Sequence, residues 1–333
     1  MNAEQIDMIT LKELEHRILS GNSISFDEAM ALYDMPLEDL KKAADEIRDH
    51  FCHDHFDTCG VISVKGGRCS EDCRFCPQSI VSHASAKQFA LLPKDEIIRQ
   101  AQALDDLGVS HVCLVSSGRR LSKPDISRLC ESIAQIRSAM QILPCASLGL
   151  IDAEDCRVLK EAGLVRLHNN LESSEAHFKT VCTSHLYQEK LSLLKAAKDA
   201  GLELCSGGLI GIGESRADRI RMALTLQQFQ PESIPINLLY PSVGSAMEHM
   251  APLPYEEILR TFAVFRFLFP KSEIRLAAGR DLLSDTGLEC FVSGSNAAIT
   301  GDCLTVKGIS AKEDKEQIRT LILQDWHSEK TRP

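Results

Sequence analysis

From about residue 59 the chain alternates short apolar runs with longer stretches, and this alternation limits the possible folds more than any other feature. The runs are Gly60–Val64, His111–Val115, Leu143–Leu148, Leu164–His168, Leu202–Cys205, Ile234–Leu239, Glu273–Ala277 and Ala297–Ile299. Each has the length of a β-strand, although Pro144 leaves the start of the third one open. The stretches between them carry helical spacing. Ile97, Ile98, Ala101, Leu104 and Leu107 form one stripe of a helix predicted over 95–107. Helices are also predicted over 126–140, 187–200 (with Gly201 as the C-cap signal), 255–269 and 312–323. Eight strand–helix units predict an α/β fold, a (β/α)8 TIM-type barrel over 51–310. A helical lead-in is expected over 1–50, and a C-terminal helix and tail over 311–333 packed on the barrel. In the lead-in, Ser25 and Glu28 fit a capping box, and Pro36 fits the first turn of a second helix. A doubly wound open sheet is the alternative fold. The glycines of Gly207–Gly213 do not support it, because they miss the dinucleotide fingerprint and come too late in the chain.

The chemistry concentrates after the first predicted strand, in Cys69-Ser70-Glu71-Asp72-Cys73-Arg74-Phe75-Cys76-Pro77-Gln78-Ser79. A tight loop with these spacings can aim three thiolates at one iron–sulfur cubane and leave one iron open. Zinc would need a fourth ligand, and His83 is the nearest candidate in sequence. Three buried, unligated cysteines within eight residues would be hard to pack. Thirteen cysteines in a chain without a secretory signal at Met1–Gln5 point to metal or redox chemistry in a reducing, cytoplasmic setting. A net charge of −10 with no long basic run argues against nucleic acid as a partner. No apolar stretch is long enough to span a bilayer, so no membrane partner is expected.

Three further cysteines, Cys113, Cys145 and Cys205, fall within predicted strands or at their ends. Inward-facing, they would converge in the barrel; equally, each would serve as a small buried filler. Arg275 sits mid-strand, where alternation can aim it inward. A buried guanidinium needs an anion, and a thiolate-held cluster is one. Ligation of a metal by arginine does not follow from these residues alone, given its very high pKa. Cys52, Cys59, Cys130, Cys156, Cys290 and Cys303 read as structural.

The three-cysteine loop resembles that of radical S-adenosylmethionine (SAM) enzymes. The longer run CSEDCRFCPQS resembles the biotin synthase family more narrowly. So do Asn170-Leu171-Glu172, YQEKL at 187–191, CSGGLIGIGE at 205–214, ESIPIN at 232–237 and RLAAGR at 275–280. The resemblance runs from about Cys69 to Cys303. It implies a [4Fe–4S] cluster on Cys69, Cys73 and Cys76 that binds SAM. It also implies an auxiliary [2Fe–2S] cluster on Cys113, Cys145, Cys205 and Arg275, and insertion of sulfur into dethiobiotin to give biotin. Asn170, Glu172 and Lys190 would then meet SAM. Asn237 would bind the ureido group of dethiobiotin, which suits an amide that both donates and accepts. An electron donor such as flavodoxin or ferredoxin and a homodimer are implied as well.

Several positions depart from the family pattern. His168-Asn169-Asn170-Leu171-Glu172 stands where Asn-His-Asn-Leu-Asp is usual, which makes His168 the first candidate facing substrate. Lys190 replaces an arginine and lacks its bidentate fork. Lys307-Gly308 stands where a threonine pair would hold the substrate carboxylate, and Lys307 can do so by charge. Cys182 is an extra cysteine, either a buried filler or a ligand of a differently built auxiliary cluster. Two alternatives remain: another radical SAM enzyme of the same subgroup, such as a hydrogenase cofactor maturase or a methylornithine synthase relative, and a non-catalytic iron–sulfur or zinc carrier. Neither needs Cys113, Cys145, Cys205 and Arg275 together with polar strand ends.

Overall fold

The structure is a computed structural model that describes residues 10–301 and 309–321, apart from 315 and 319. Among the described residues, nine strands form one all-parallel sheet: β1 (Asp57–Lys65), β2 (His111–Ser116), β3 (Leu143–Ser147), β4 (Arg166–His168), β5 (Glu203–Cys205), β6 (Gly208–Ile210), β7 (Ser233–Leu238), β8 (Glu273–Leu276) and β9 (Ala297–Ile299). Pairing runs in chain order, and β1 pairs with β9, so the sheet closes on itself. β5 and β6 share one barrel position. Cys205 of β5 pairs with Ser233 of β7, and Gly208 of β6 pairs with Ile236 of the same strand. Nine segments therefore make an eight-position TIM-type barrel.

The split in that position comes from Ser206-Gly207-Gly208. A Cβ on Gly207 would lie 2.0 Å from the Pro235 carbonyl oxygen, and one on Gly208 would meet Glu172 O at 2.7 Å. These glycines let backbones approach each other closely. Gly207→Ala is expected to cost on the order of 3 kcal/mol through overpacking against a backbone that has no rotamer to move. A drop in the thermal midpoint of several degrees would show it; an unchanged midpoint would contradict the close approach.

The outer layer is built by α4 (Lys94–Asp106), α5 (Lys123–Ala139), α6 (Ala153–Glu161), α7 (Glu175–Val181), α8 (Tyr187–Asp199), α9 (Arg216–Gln227) and α10 (Tyr255–Leu268). Three of these, α6, α7 and α9, are absent from the prediction. The short α11 (Leu288–Phe291) precedes β9. Leu107 stands at the C-cap of α4 and is 43% exposed, so it lies outside the predicted stripe. Gly201 follows the end of α8 at φ +77°, the left-handed C-cap expected of it. Pro144 is tolerated because β3 pairs with β4 only from Cys145 onward, past its missing N–H.

The lead-in comprises α1 (Leu11–Leu19), α2 (Phe26–Leu32) and α3 (Leu37–Cys52). Ser25 and Glu28 form the predicted capping box. Pro36 caps α3 one residue before its first turn rather than within it. α3 packs on α1 and α10. The C-terminal helix predicted over 312–323 is helical at its described residues within 311–321.

Candidate active site

Strand parity builds the barrel interior. Side chains alternate between the helix layer and the interior, so residues two apart point the same way. The first residues of several strands carry charge or a ring: Asp57, His111, Arg166, Glu203 and Glu273. Two positions further on stand Cys59, Cys113, His168, Cys205 and Arg275, while β3 adds Cys145. The parallel register places Val61 beside Cys113, Cys113 beside Cys145, and Cys145 beside Arg166. A cavity of about 150 Å³ results, lined by Cys59, Cys113, Cys145, Cys205, His168 and Asn237 among others. The predicted convergence of Cys113, Cys145 and Cys205 is present. A fourth thiol, Cys59, joins them, although the sequence reading treated it as structural.

Beneath the thiols lies a floor of ion pairs. Arg275, 2% exposed, donates Nε–H to Ser233 Oγ at 3.1 Å and Nη1–H to Ala298 O at 3.0 Å. Its Nη2 donates to Glu273 at 2.9 Å and to Asp57. Arg166 binds Glu273 at 2.7 Å and Glu203 at 2.9 Å, and His111 Nδ1 meets Asp57 at 2.8 Å. The anion that Arg275 needs is thus supplied by two carboxylates. Burial alone would raise the Asp57 carboxyl, but Arg275 and His111 outweigh it and hold it well below the usual range. Burial also opposes the Arg275 charge, and Asp57 and Glu273 overcome this, so the guanidinium keeps its proton. The thiols above behave oppositely. Burial pushes Cys59 up to about 12, and raises Cys145 and Cys205. They remain protonated until a cation displaces their protons. Four thiols in one small cavity form a donor set that fits an iron–sulfur cluster.

The three-cysteine loop follows β1 at the C-terminal end of the barrel, where active sites of this fold collect. Cys69 N–H donates to Gln78 O at 2.7 Å and closes the loop. Glu71 N–H points at Cys69 Sγ, 3.5 Å away, and backbone amides also face Cys76. Such amides stabilise thiolates and clusters. Two acidic residues between the cysteines, unassigned from the sequence, brace the loop. Asp72 accepts from Thr183 N at 2.9 Å and Ser184 N at 3.0 Å. Glu71 binds His185 at 2.6 Å, Ser184 Oγ at 2.8 Å and Arg119 at 3.1 Å. His83, the zinc candidate, is not in the ligand group that forms around Cys73; Cys182 and His185 are. Cys182 Sγ lies 3.7 Å from Cys73 Sγ. Cys73 donates to Cys182: this hydrogen bond, aided by His185, pulls Cys182 down to about 5 and raises Cys73. Cys182 does not line the four-thiol cavity, so the structure places it with the loop and not with an auxiliary site.

Polar residues stand at the C-terminal ends of the neighbouring strands. His168 lines the cavity, its Nδ1 3.3 Å from Cys205 Sγ, and burial lowers it to about 4, so it is neutral at physiological pH. Asn237 also lines it, donating to Gly208 O at 3.2 Å and accepting from Ala278 N at 3.2 Å. Each end of that amide keeps capacity for one more bond. Asn170 Oδ1 accepts from Gly207 N at 3.1 Å. Glu172 holds a left-handed backbone, φ +72°, and burial raises its carboxyl. A non-glycine residue in that region stores strain of the kind found at ligand sites. Lys190 is buried, donates to Asn170 O at 2.9 Å and lies 5.6 Å from the Phe178 ring centre. Its ammonium therefore supports the strand end that bears Asn170. Lys307 lies outside the described residues.

The Radical SAM superfamily profile matches residues 63–226, and that of the Biotin and Thiamin Synthesis associated domain matches residues 235–324. The chain is 44% identical to biotin synthase 2 of Corynebacterium diphtheriae over 96% of its own length and 98% of that protein. It is 43% identical to the biotin synthase of Brachyspira hyodysenteriae, over 94% of each. Among solved structures, methylornithine synthase superposes with a TM-score of 0.79 at 19% identity, covering 94% of this chain and 96% of that one. A maturase of the [FeFe]-hydrogenase gives 0.78 at 16%, covering 93% and 74%. At those identities the likeness is one of fold.

Proposed function

Because this chain belongs to the biotin synthases of the radical SAM superfamily, we propose how its own residues serve the insertion of sulfur into dethiobiotin. The observation that carries the reading is the vertical order of the barrel: the three-cysteine loop at the mouth, the polar strand ends below it, and four thiols above a closed floor. When bound, the loop cluster with SAM would supply one-electron, hydrogen-abstracting radical chemistry, and the auxiliary cluster would supply sulfur.

Cys69, Cys73 and Cys76 hold the [4Fe–4S] cluster, which the family implies. Asn170 and Glu172 orient SAM, with Lys190 behind them fixing the Asn170 backbone. The remaining hydrogen-bond capacity of Asn237 takes the flat urea of dethiobiotin, and neutral His168 approaches it without adding charge. Lys307 meets the substrate carboxylate, where a screened charge contributes about 1 kcal/mol. The apolar and thiol lining excludes water from a reactive carbon centre. The reaction further calls for an external one-electron donor, flavodoxin or ferredoxin, and we place a homodimer in the same reading.

For the auxiliary cluster we assign Cys113, Cys145 and Cys205, with Cys59 rather than Arg275 as the fourth ligand. Every nitrogen of the Arg275 guanidinium already has a protein partner, and two carboxylates oppose the proton loss that ligation requires. The [2Fe–2S] form and a larger cluster both accept four thiolates. After anaerobic reconstitution, Cys59→Ser should retain loop-cluster iron and lose auxiliary iron and sulfide, whereas Arg275→Lys should keep both. The reverse pattern would return the position to Arg275. The activity itself is tested by anaerobic incubation with dethiobiotin, SAM and a reductant, followed by assay for biotin.

A further inference from the structure

Cys182 and His185 belong to neither ligand set described above, yet they stand beside one of them. Cys73, Cys182 and His185 offer ligand atoms that all lie within 4.8 Å of one another. Two thiolates each about 2.3 Å from a tetrahedral metal stand about 3.8 Å apart, and a thiolate and an imidazole nitrogen about 3.6 Å. The Cys73 and Cys182 sulfurs are 3.7 Å apart. Cys182 Sγ is 3.3 Å from His185 Nδ1 and 3.8 Å from Nε2. Nδ1 also lies 2.6 Å from Glu71 Oε2, so that carboxylate can hold the Nδ1 proton and leave Nε2 for a metal. Glu71 is fixed in turn by Arg119 and Ser184. A carboxylate behind a ligating histidine is the usual outer support of a divalent metal. The site is also reached from outside: a surface cavity of about 320 Å³, lined by Asp72, Thr180, Cys182 and Thr183 among others, opens beside it.

We propose that Cys73, Cys182 and His185 form a binding site for a single divalent transition-metal ion, filled by ferrous iron before the loop cluster is complete. Binding forms two metal–sulfur bonds and one metal–nitrogen bond, and the thiol protons leave to solvent; no electron moves. The fourth position is open to water. Because Cys73 is shared, the ion and the finished cluster cannot both be held. The site therefore acts as a landing place, from which iron passes to Cys69 and Cys76 as Cys73 turns from one set to the other. The loading role rests on the reading of Cys73 as a cluster ligand; the metal site itself does not.

The test uses cluster-free full-length chain, kept anaerobic, titrated with Co²⁺ as a coloured probe. Beyond the cobalt taken up by the four-thiol cavity, wild type should bind one further ion whose thiolate–cobalt charge transfer is lost, or weakened at least tenfold, in both Cys182→Ser and His185→Gln. Cys69→Ala should retain it. Unchanged cobalt binding in both former variants would overturn the site, as would loss in Cys69→Ala with Cys182→Ser unaffected. A second measurement follows iron uptake during reconstitution. Cys182→Ser should reach the wild-type cluster content at a several-fold lower initial rate, and an unchanged rate would overturn the loading role. Failure of wild type to build any loop cluster would instead strike the assignment of Cys73, and the cobalt result would stand apart from it.

Discussion

Cys73→Ala is expected to abolish reductive cleavage of SAM along with biotin formation. On the proposed assignment the loop would hold its cluster by Cys69, Cys73 and Cys76, which would leave one iron open. With two thiolates the cluster loses both its anchorage and its single differentiated iron. Removing an outer-shell partner of a metal site already costs about 10–100-fold, so loss of a direct ligand should exceed about a hundredfold in 5′-deoxyadenosine yield. Cys182, 3.7 Å from Cys73, is the one complication, since a neighbouring thiol can step into the vacancy. The double variant Cys73→Ala/Cys182→Ala closes that route. Wild-type yield of 5′-deoxyadenosine from the reconstituted double variant would remove the loop from the mechanism. Yield that survives in the single variant and vanishes in the double one would show Cys182 substituting.

Cys145→Ala should separate the two jobs. Its sulfur lies in the four-thiol cavity at the level of Arg166, well below the loop. Biotin should fall to background while reductive cleavage of SAM persists, because nothing that the variant removes touches the loop. The fold should tolerate it: deleting one buried sulfur costs about 1 kcal/mol, against a total stability of about 5–15 kcal/mol. Parallel assays for biotin and 5′-deoxyadenosine on one preparation make the comparison. Repeated turnover to biotin by the variant would show that Cys145 is not a required ligand.

Much of this site could be read along the chain. The loop cysteines are local in sequence, so spacing alone exposes them. The strand cysteines were legible through parity, and the same parity holds the two misses. Asp57 and Cys59 precede the run at which the first strand was started, so the period-2 series Asp57, Cys59, Val61 was cut at its most informative end. Arg166 shares a face with His168 and went unremarked, because a charge at a strand start looks like a solvated end. The partners of Arg275 were not legible: Asp57 is 218 residues away and meets it only when β8 closes onto β1 through β9. Cys182 fails for the same reason, since its position beside Cys73 depends on how the α7–α8 connection folds back over the loop. Helices α6, α7 and α9 were missed because their apolar faces are short or interrupted.

The ion-pair floor also sets an order in time. On its far side a cavity of about 730 Å³ opens at the N-terminal end of the barrel, lined by Glu203, Glu273 and the same Arg166 that lines the thiol cavity. Parting buried pairs such as Arg166–Glu273 costs several kcal/mol, so only a small fraction of molecules has this partition open. On the proposed function, the open way to the thiols is the mouth, where SAM and dethiobiotin would dock. If the four thiols hold a cluster that gives up its sulfur, as proposed above, it would be restocked through the doorway its substrates occupy. On that reading synthesis and repair would take turns at one entrance.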